Sequence, residues 1–198
     1  MTWSSNFGNE YTARNAAPVD YITRYGKTRA EMFSDIIGDL PRDSSILEVG
    51  CNVGNQLAVL KEMGFTNLHG IDINTKAVEV AMSKGFDCWL GDAAKIDAHD
   101  NEFDLVFTAG LLIHIPPADL PKVMKEIARV ACAHVAGFEY FSPENKQISY
   151  REGVGLWKGN YASEYVKHAK MTFVREQFYP YMDNPGNVDT GFLLSKRP

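Results

Sequence analysis

The sequence predicts an α/β fold, a parallel sheet with helices on both faces, and three observations carry that expectation. The first is the stretch Ser45–Gln56. There a short apolar run (Ile46, Leu47, Val49) leads into a turn holding Gly50, Asn52 and Gly54, then into helix-forming residues from Gln56 to Met63. The second is repetition, since four strand–helix units follow one another and successive units of that kind build a parallel sheet. The third is the end of the chain. Met171–Tyr179 alternates, Thr190–Lys196 is apolar, and the turn-rich 180–187 between them makes the pair an antiparallel hairpin.

Composition narrows the function. A chain of 198 residues, 45% hydrophobic and 23% charged, fits one domain with a sizeable core. A net charge of −5 argues against general nucleic-acid binding, which needs a basic face. No apolar run approaches the roughly 20 residues that span a bilayer, and the polar start Met-Thr-Trp-Ser-Ser-Asn has no signal-like apolar segment. Cys51, Cys88 and Cys132 are odd in number and lack metal-ligand spacing, so free thiols in a cytoplasmic protein without a metal are expected. The expected partner is a small molecule, with neither nucleic acid nor membrane, on a monomer or homodimer.

Taken in order, residues 1–19 show no periodicity but carry Trp3, Phe7, Tyr11 and Arg14. Disordered tails are poor in aromatics, so this arm is expected to fold back over the body. Tyr21, Ile22, Tyr25, Met32, Phe33, Ile36 and Ile37 recur at helical spacing and predict one amphipathic helix over 20–38, ended by Gly38 and Pro41. Asn67–Ile73 reads as the second strand, Thr75–Lys84 as a helix capped by Asn74, Phe86–Leu90 as the third strand and Glu102–Thr108 as the fourth. A crossover loop from Ala109 to Pro117 follows, then a helix over Ala118–Val130 and a fifth strand over Ala133–Phe141. Residues 142–160 read as a long functional loop and Tyr161–Ala169 as a short helix.

The site motif is the turn after the first strand. Strand, tight turn and helix bring backbone N–H groups and a helix N-terminus up to a ligand. Glycines at i and i+4 with an acid at i−2 differ from the G-x-G-x-x-G of dinucleotide sites. Asp72, 22 residues after Gly50, ends the second strand and can accept two hydrogen bonds from a ribose diol. Asp92, after the third strand, either accepts from an adenine amino group or serves as a turn or cap residue.

Glu48-Val-Gly-Cys-Asn-Val-Gly54 resembles motif I of the class I S-adenosylmethionine (AdoMet) methyltransferases, and Asp72, Asp92, the Phe103 strand with Gly110, the fifth strand and the final hairpin follow in the family's order. The resemblance implies a Rossmann-like three-layer αβα sandwich with a seven-stranded sheet of order 3-2-1-4-5-7-6 and strand 7 antiparallel. It implies AdoMet held by Glu48, Gly50, Cys51, Asn52, Gly54, Asp72, Ile73, Asp92, Ala93, Gly110 and Leu111. Asn52 departs from the commonest pattern, in which glycine stands there. The opening Trp3-(x)4-Gly8-(x)2-Tyr11-(x)2-Arg14-Asn15, the Leu156-Trp157-Lys158 segment and the closing 188–196 are similar to a clade of methyltransferases associated with pseudaminic acid biosynthesis.

The expected reaction is methyl transfer to O or N of a small, anionic molecule such as a sugar acid or nucleotide-linked sugar of surface-glycan biosynthesis. The alternatives are an AdoMet-binding scaffold without turnover, or a methyltransferase of another small metabolite or natural product. A nicotinamide-binding protein is disfavoured by the glycine spacing and the hairpin. His114 is the candidate base, with a loop-orienting role as the alternative. Tyr11, Arg14, Glu139, Tyr150, Arg151, Trp157 and Lys158 are the candidate acceptor contacts, Arg151 alternatively pairing with Glu152 or Glu144 and Glu139 with an arginine.

Overall fold

The computed structural model describes residues 3–14, 17, 19–149 and 155–196. Its strands in chain order are β1 (Ser45–Val49), β2 (Asn67–Asp72), β3 (Asp87–Leu90), β4 (Phe103–Ala109), β5 (Ala131–Tyr140), β6 (Lys146–Ile148), β7 (Leu156–Lys158), β8 (Thr172–Pro180) and β9 (Val188–Ser195). Seven of them form one sheet in the order β3-β2-β1-β4-β5-β9-β8. Pairing is parallel from β3 across to β5, and β9 runs antiparallel to both of its neighbours. Counting only the strands of this sheet, the order is 3-2-1-4-5-7-6 with strand 7 antiparallel, as the sequence resemblance implied.

The helices are α1 (Asn6–Arg14), α2 (Tyr21–Tyr25), α3 (Arg29–Ile37), α4 (Asn55–Glu62), α5 (Thr75–Ser83), α6 (Leu120–Val130) and α7 (Tyr161–Ala169), with a single 3-10 turn at Leu112–His114. Strand alternation sorts the core into two layers. Ile46, Leu105, Ala136 and Leu193 pack with Phe33, Ile36, Leu57 and Ala81 of α3, α4 and α5. Their neighbours Leu47, Val106, Val135 and Leu194 pack with Met124, Ile127, Tyr161 and Tyr165 of α6 and α7. Each fully buried aliphatic side chain contributes roughly 2 kcal/mol, so both faces are strongly fixed.

Three elements differ from the sequence reading. The helix expected over 20–38 is two helices, because Gly26 takes φ 67 and closes α2 with a left-handed cap. Thr28 then restarts the chain with a capping box to Glu31, a signal legible in Thr-x-x-Glu. The arm, expected to lack regular structure, contains α1. Nine residues form a stable helix only by docking, and Asn74 Nδ2 supplies the dock by donating to Trp3 O at 3.1 Å and Asn9 Oδ1 at 3.0 Å. Gly8 permits the fit, since a Cβ there would lie 1.8 Å from Trp3 O. Within 142–160, β6 and β7 form a two-stranded ribbon pairing Gln147 with Trp157; Tyr150 and Arg151 lie outside the described residues. No described helix is long and apolar enough to cross a membrane.

Candidate active site

At the carboxyl edge of the sheet, Gly50, Asn52 and Gly54 all take left-handed backbone, with φ 79, 46 and 74. Asparagine tolerates this region better than other non-glycine residues, so Asn52 continues the turn. The N–H groups of Gly50 and Cys51 donate to Ile71 O at 2.8 and 2.9 Å. Asp72 ties this turn to the next: Asn52 N donates to its Oδ2 at 2.9 Å and Asn74 N to its Oδ1 at 2.8 Å. Burial pushes the Asp72 carboxyl above its ordinary range, and those two amides oppose the shift. Gly70 allows the turn to lie on β2, because a Cβ there would stand 2.8 Å from Cys51 Sγ.

Two cavities meet above this turn. The smaller, about 190 Å³, is lined by Gly50, Asn52, Asp72, Ile73, Asp92, Ala93, Gly110 and Leu111. Eight of the eleven residues proposed for the cofactor therefore share one wall, at the carboxyl ends of β1, β2, β3 and β4. Trp3 and Tyr11 close it from the arm. The larger cavity, about 600 Å³, takes Glu48 and Cys51 together with Tyr11 and Arg14.

Four further candidates lie away from both cavities. Gly54 lines neither cavity; it caps α4, where a Cβ would meet the Phe86 ring at 3.0 Å. Glu139 is fully buried, lines neither cavity and pairs with no arginine among the described residues. Its two oxygens accept from the amides of Leu111 and Leu112 at 3.1 and 3.2 Å, so it anchors the turn after β4. Burial pushes its carboxyl up to about 7. Trp157 and Lys158 also lie outside both linings. Lys158 Nζ donates to Asn187 Oδ1 at 2.7 Å, and the Trp157 carbonyl accepts from the Tyr161 hydroxyl at 2.6 Å.

His114 lies at the junction and lines both cavities. Its ring centroid is 4.3 Å from that of Trp3 and 5.8 Å from that of Tyr11, and its Nδ1 is buried without a partner. Burial lowers its pKa from 6.5 to about 4. The imidazole is therefore neutral at pH 7, but a base so weakened draws little from a hydroxyl. The unfolded chain binds a proton near pH 6.5 that the folded chain refuses until about pH 4, so stability falls on acidification across that window. His114→Asn is expected to flatten the loss of melting temperature between pH 6.5 and 4. An unchanged slope would mean that His114 is not the buried neutral group described here.

Three site residues escaped the sequence reading. Arg29, on α3, is buried beneath the larger cavity, its guanidinium 4.0 Å from the Phe138 ring centroid and 4.6 Å from that of Phe33. Its Nε donates to Gln56 Oε1 at 2.7 Å. A cation at i on the stripe completed by Met32, Phe33, Ile36 and Ile37 was the available signal. Arg24 and Asp189, from α2 and β9, border the same cavity, and no local motif marks either.

The segment 46–133, which contains every position proposed for the cofactor, matches the methyltransferase domain family. The match covers under half of the chain, and the sheet order is that of the Rossmann-like methyltransferase fold. Among curated relatives, Methyltransferase GfsG of Streptomyces halstedii is 28% identical over 122 residues, 57% of this chain and 42% of that protein. The chain thus spans less than half of that relative. The 1,6-didemethyltoxoflavin-N1-methyltransferase of Burkholderia thailandensis, solved with 1,6-didemethyltoxoflavin and S-adenosylhomocysteine, shares the fold with a TM-score of 0.69 at 15% identity. That likeness covers 85% of this chain and 76% of the other. The [4+2]-cyclase SpnF shares it with a TM-score of 0.73 at 14% identity, over 96% and 92% of the two chains.

Proposed function

We propose that the protein transfers the methyl group of AdoMet to an O or N atom of a small, anionic molecule. The observation that carries this is the pair of adjoining cavities, one built like a nucleoside site and the other, at about 600 Å³, within the size range of small-molecule sites. Asp72 would hold the ribose hydroxyls, its carboxylate already fixed by two amides, while Asp92 and Ala93 border adenine. The methionine end fits an opposite-charge pair on the larger cavity. Glu48 Oε2 is buried without a partner, and Arg29 keeps the rest of its guanidinium free of any ion pair among the described residues. Burial pushes the Glu48 carboxyl well above the usual range, with Arg29 opposing; an ammonium beside it would restore its charge.

Bound AdoMet supplies a methyl group already activated by its sulfonium. The protein is left with alignment and exclusion of water, and Glu139 serves the first by fixing the Gly110–His114 turn. A sugar acid or nucleotide-linked sugar stays the first proposed acceptor, on the resemblance of the arm and the C-terminal strand to the pseudaminic acid-associated clade. A second reading, binding without methyl transfer, draws on the [4+2]-cyclase neighbour, because one fold hosts several chemistries. Calorimetric titration should give micromolar AdoMet affinity, about −8 kcal/mol, and no binding of NAD. Labelled AdoMet with a panel of acidic sugars, nucleotide sugars and heteroaromatics should then transfer label. No AdoMet binding would overturn the proposal, and binding with no turnover across the panel would leave the scaffold reading.

A further inference from the structure

We infer that Arg24, with Tyr25 and Tyr140, forms the oxyanion-binding end of the acceptor site, taking a carboxylate or phosphate of the molecule to be modified. The inference rests on the proposed function, which leaves open what holds that anion. Arg14, Arg151 and Lys158, the cations marked by the sequence, do not supply a clear anchor. Arg14 pairs with Glu10 at 3.7 Å, Lys158 is bonded to Asn187 outside the cavity, and Arg151 is outside the described residues.

Arg24 differs from them. It lines the larger cavity and makes no ion pair among the described residues. Its guanidinium lies 5.5 Å over the Tyr181 ring and is hydrogen-bonded to Tyr25, which leaves further donors of its five-donor fork for an oxyanion. The carboxylate on the same wall, Asp189, has both oxygens engaged: Tyr25 donates to Oδ2 at 2.6 Å and Tyr181 to Oδ1 at 3.0 Å. Those phenols take the hydrogen-bonding positions of Asp189, which meets Arg24 through Tyr25 rather than in a direct ion pair.

The charge balance favours an incoming anion. With Arg14 paired to Glu10, Arg24 and Arg29 face Glu48 and Asp189 across the cavity, and burial pushes both carboxyls upward, toward their uncharged forms. Arg29 lies beside the glycine turn with Glu48 and is assigned to the methionine end. Arg24 lies where β5 finishes at Tyr140 and β9 begins beside it, with Tyr140 paired to Asp189, a carboxylate that both guanidiniums act on. Tyr25 and Tyr140 add flat walls suited to a ring.

The test titrates benzoate, phenyl phosphate and neutral benzyl alcohol into protein saturated with S-adenosylhomocysteine. At least one anion is expected to bind 10-fold or more tighter than the alcohol, and the stronger of the two tells a carboxylate site from a phosphate site. In Arg24→Met that preference should disappear, with S-adenosylhomocysteine affinity within twofold of the parent. Arg24→Lys should recover part of it. No preference for anions, or one that survives in Arg24→Met, overturns the inference. Should S-adenosylhomocysteine itself fail to bind, the cofactor reading falls alone, and the same three titrations on the free protein still decide the role of Arg24.

Discussion

Replacing Asp72 with alanine is expected to weaken AdoMet binding on the order of a hundredfold, the largest cofactor effect of any single substitution in this site. Two losses add. The ribose diol loses a charged acceptor, and hydrogen bonds to charged groups each contribute about 1.5–3 kcal/mol. The two amides that Asp72 fixes, those of Asn52 and Asn74, lose their partner at the same moment. Both stand on turns that face the small cavity, so the cradle loosens as its key contact goes. Asp72→Asn separates the two losses. It keeps one oxygen for an amide but no charge for the diol, and should weaken binding roughly tenfold. Calorimetry on both variants checks this, with melting curves confirming that each is folded. Affinity within threefold of the parent in Asp72→Ala would remove Asp72 from the cofactor site.

The wall proposed for the cofactor could be read from the sequence because its signals are local. Glu48 to Gly54 fit one turn, Asp72 ends one strand, and in a parallel sheet the carboxyl ends of neighbouring strands share an edge. The larger cavity was illegible because it gathers residues from α2, α3, β5 and β9. Arg24 and Asp189 are 165 positions apart and meet only in the fold. Glu139 shows a subtler failure. The strand and its end were read correctly, but side chains alternate, and Phe138 and Tyr140 line the cavity while Glu139 turns away to the Leu111 and Leu112 amides. Lys158 was chosen for lying in a long irregular segment. The ribbon formed by β6 and β7 gives that segment a structure of its own, and its lysine is spent on Asn187.

Deleting residues 1–15 is expected to leave a folded protein whose methyl transfer falls about a hundredfold and which releases S-adenosylhomocysteine at least tenfold faster. The fold should survive because neither core layer includes an apolar residue of the arm; a melting temperature within a few degrees of the parent is expected. The site should not survive intact. Trp3 packs edge-on against Phe7 at 5.2 Å and Tyr11 at 5.1 Å, and the ring of His114 lies beneath Trp3 at 4.3 Å. Trp3, Tyr11 and His114 line the small cavity, Tyr11 and His114 also line the larger one, and Phe7 backs Trp3 from outside both. Without them water reaches the reacting groups, and the buried imidazole becomes exposed. The deletion therefore carries an internal marker, since His114 should titrate nearer 6.5 once uncovered, visible in its proton resonance. Trp3→Ala should reproduce a smaller part of each effect. If product release, turnover and the His114 titration are all unchanged in the deletion, α1 is packing alone, and the chamber must be closed by something other than the arm.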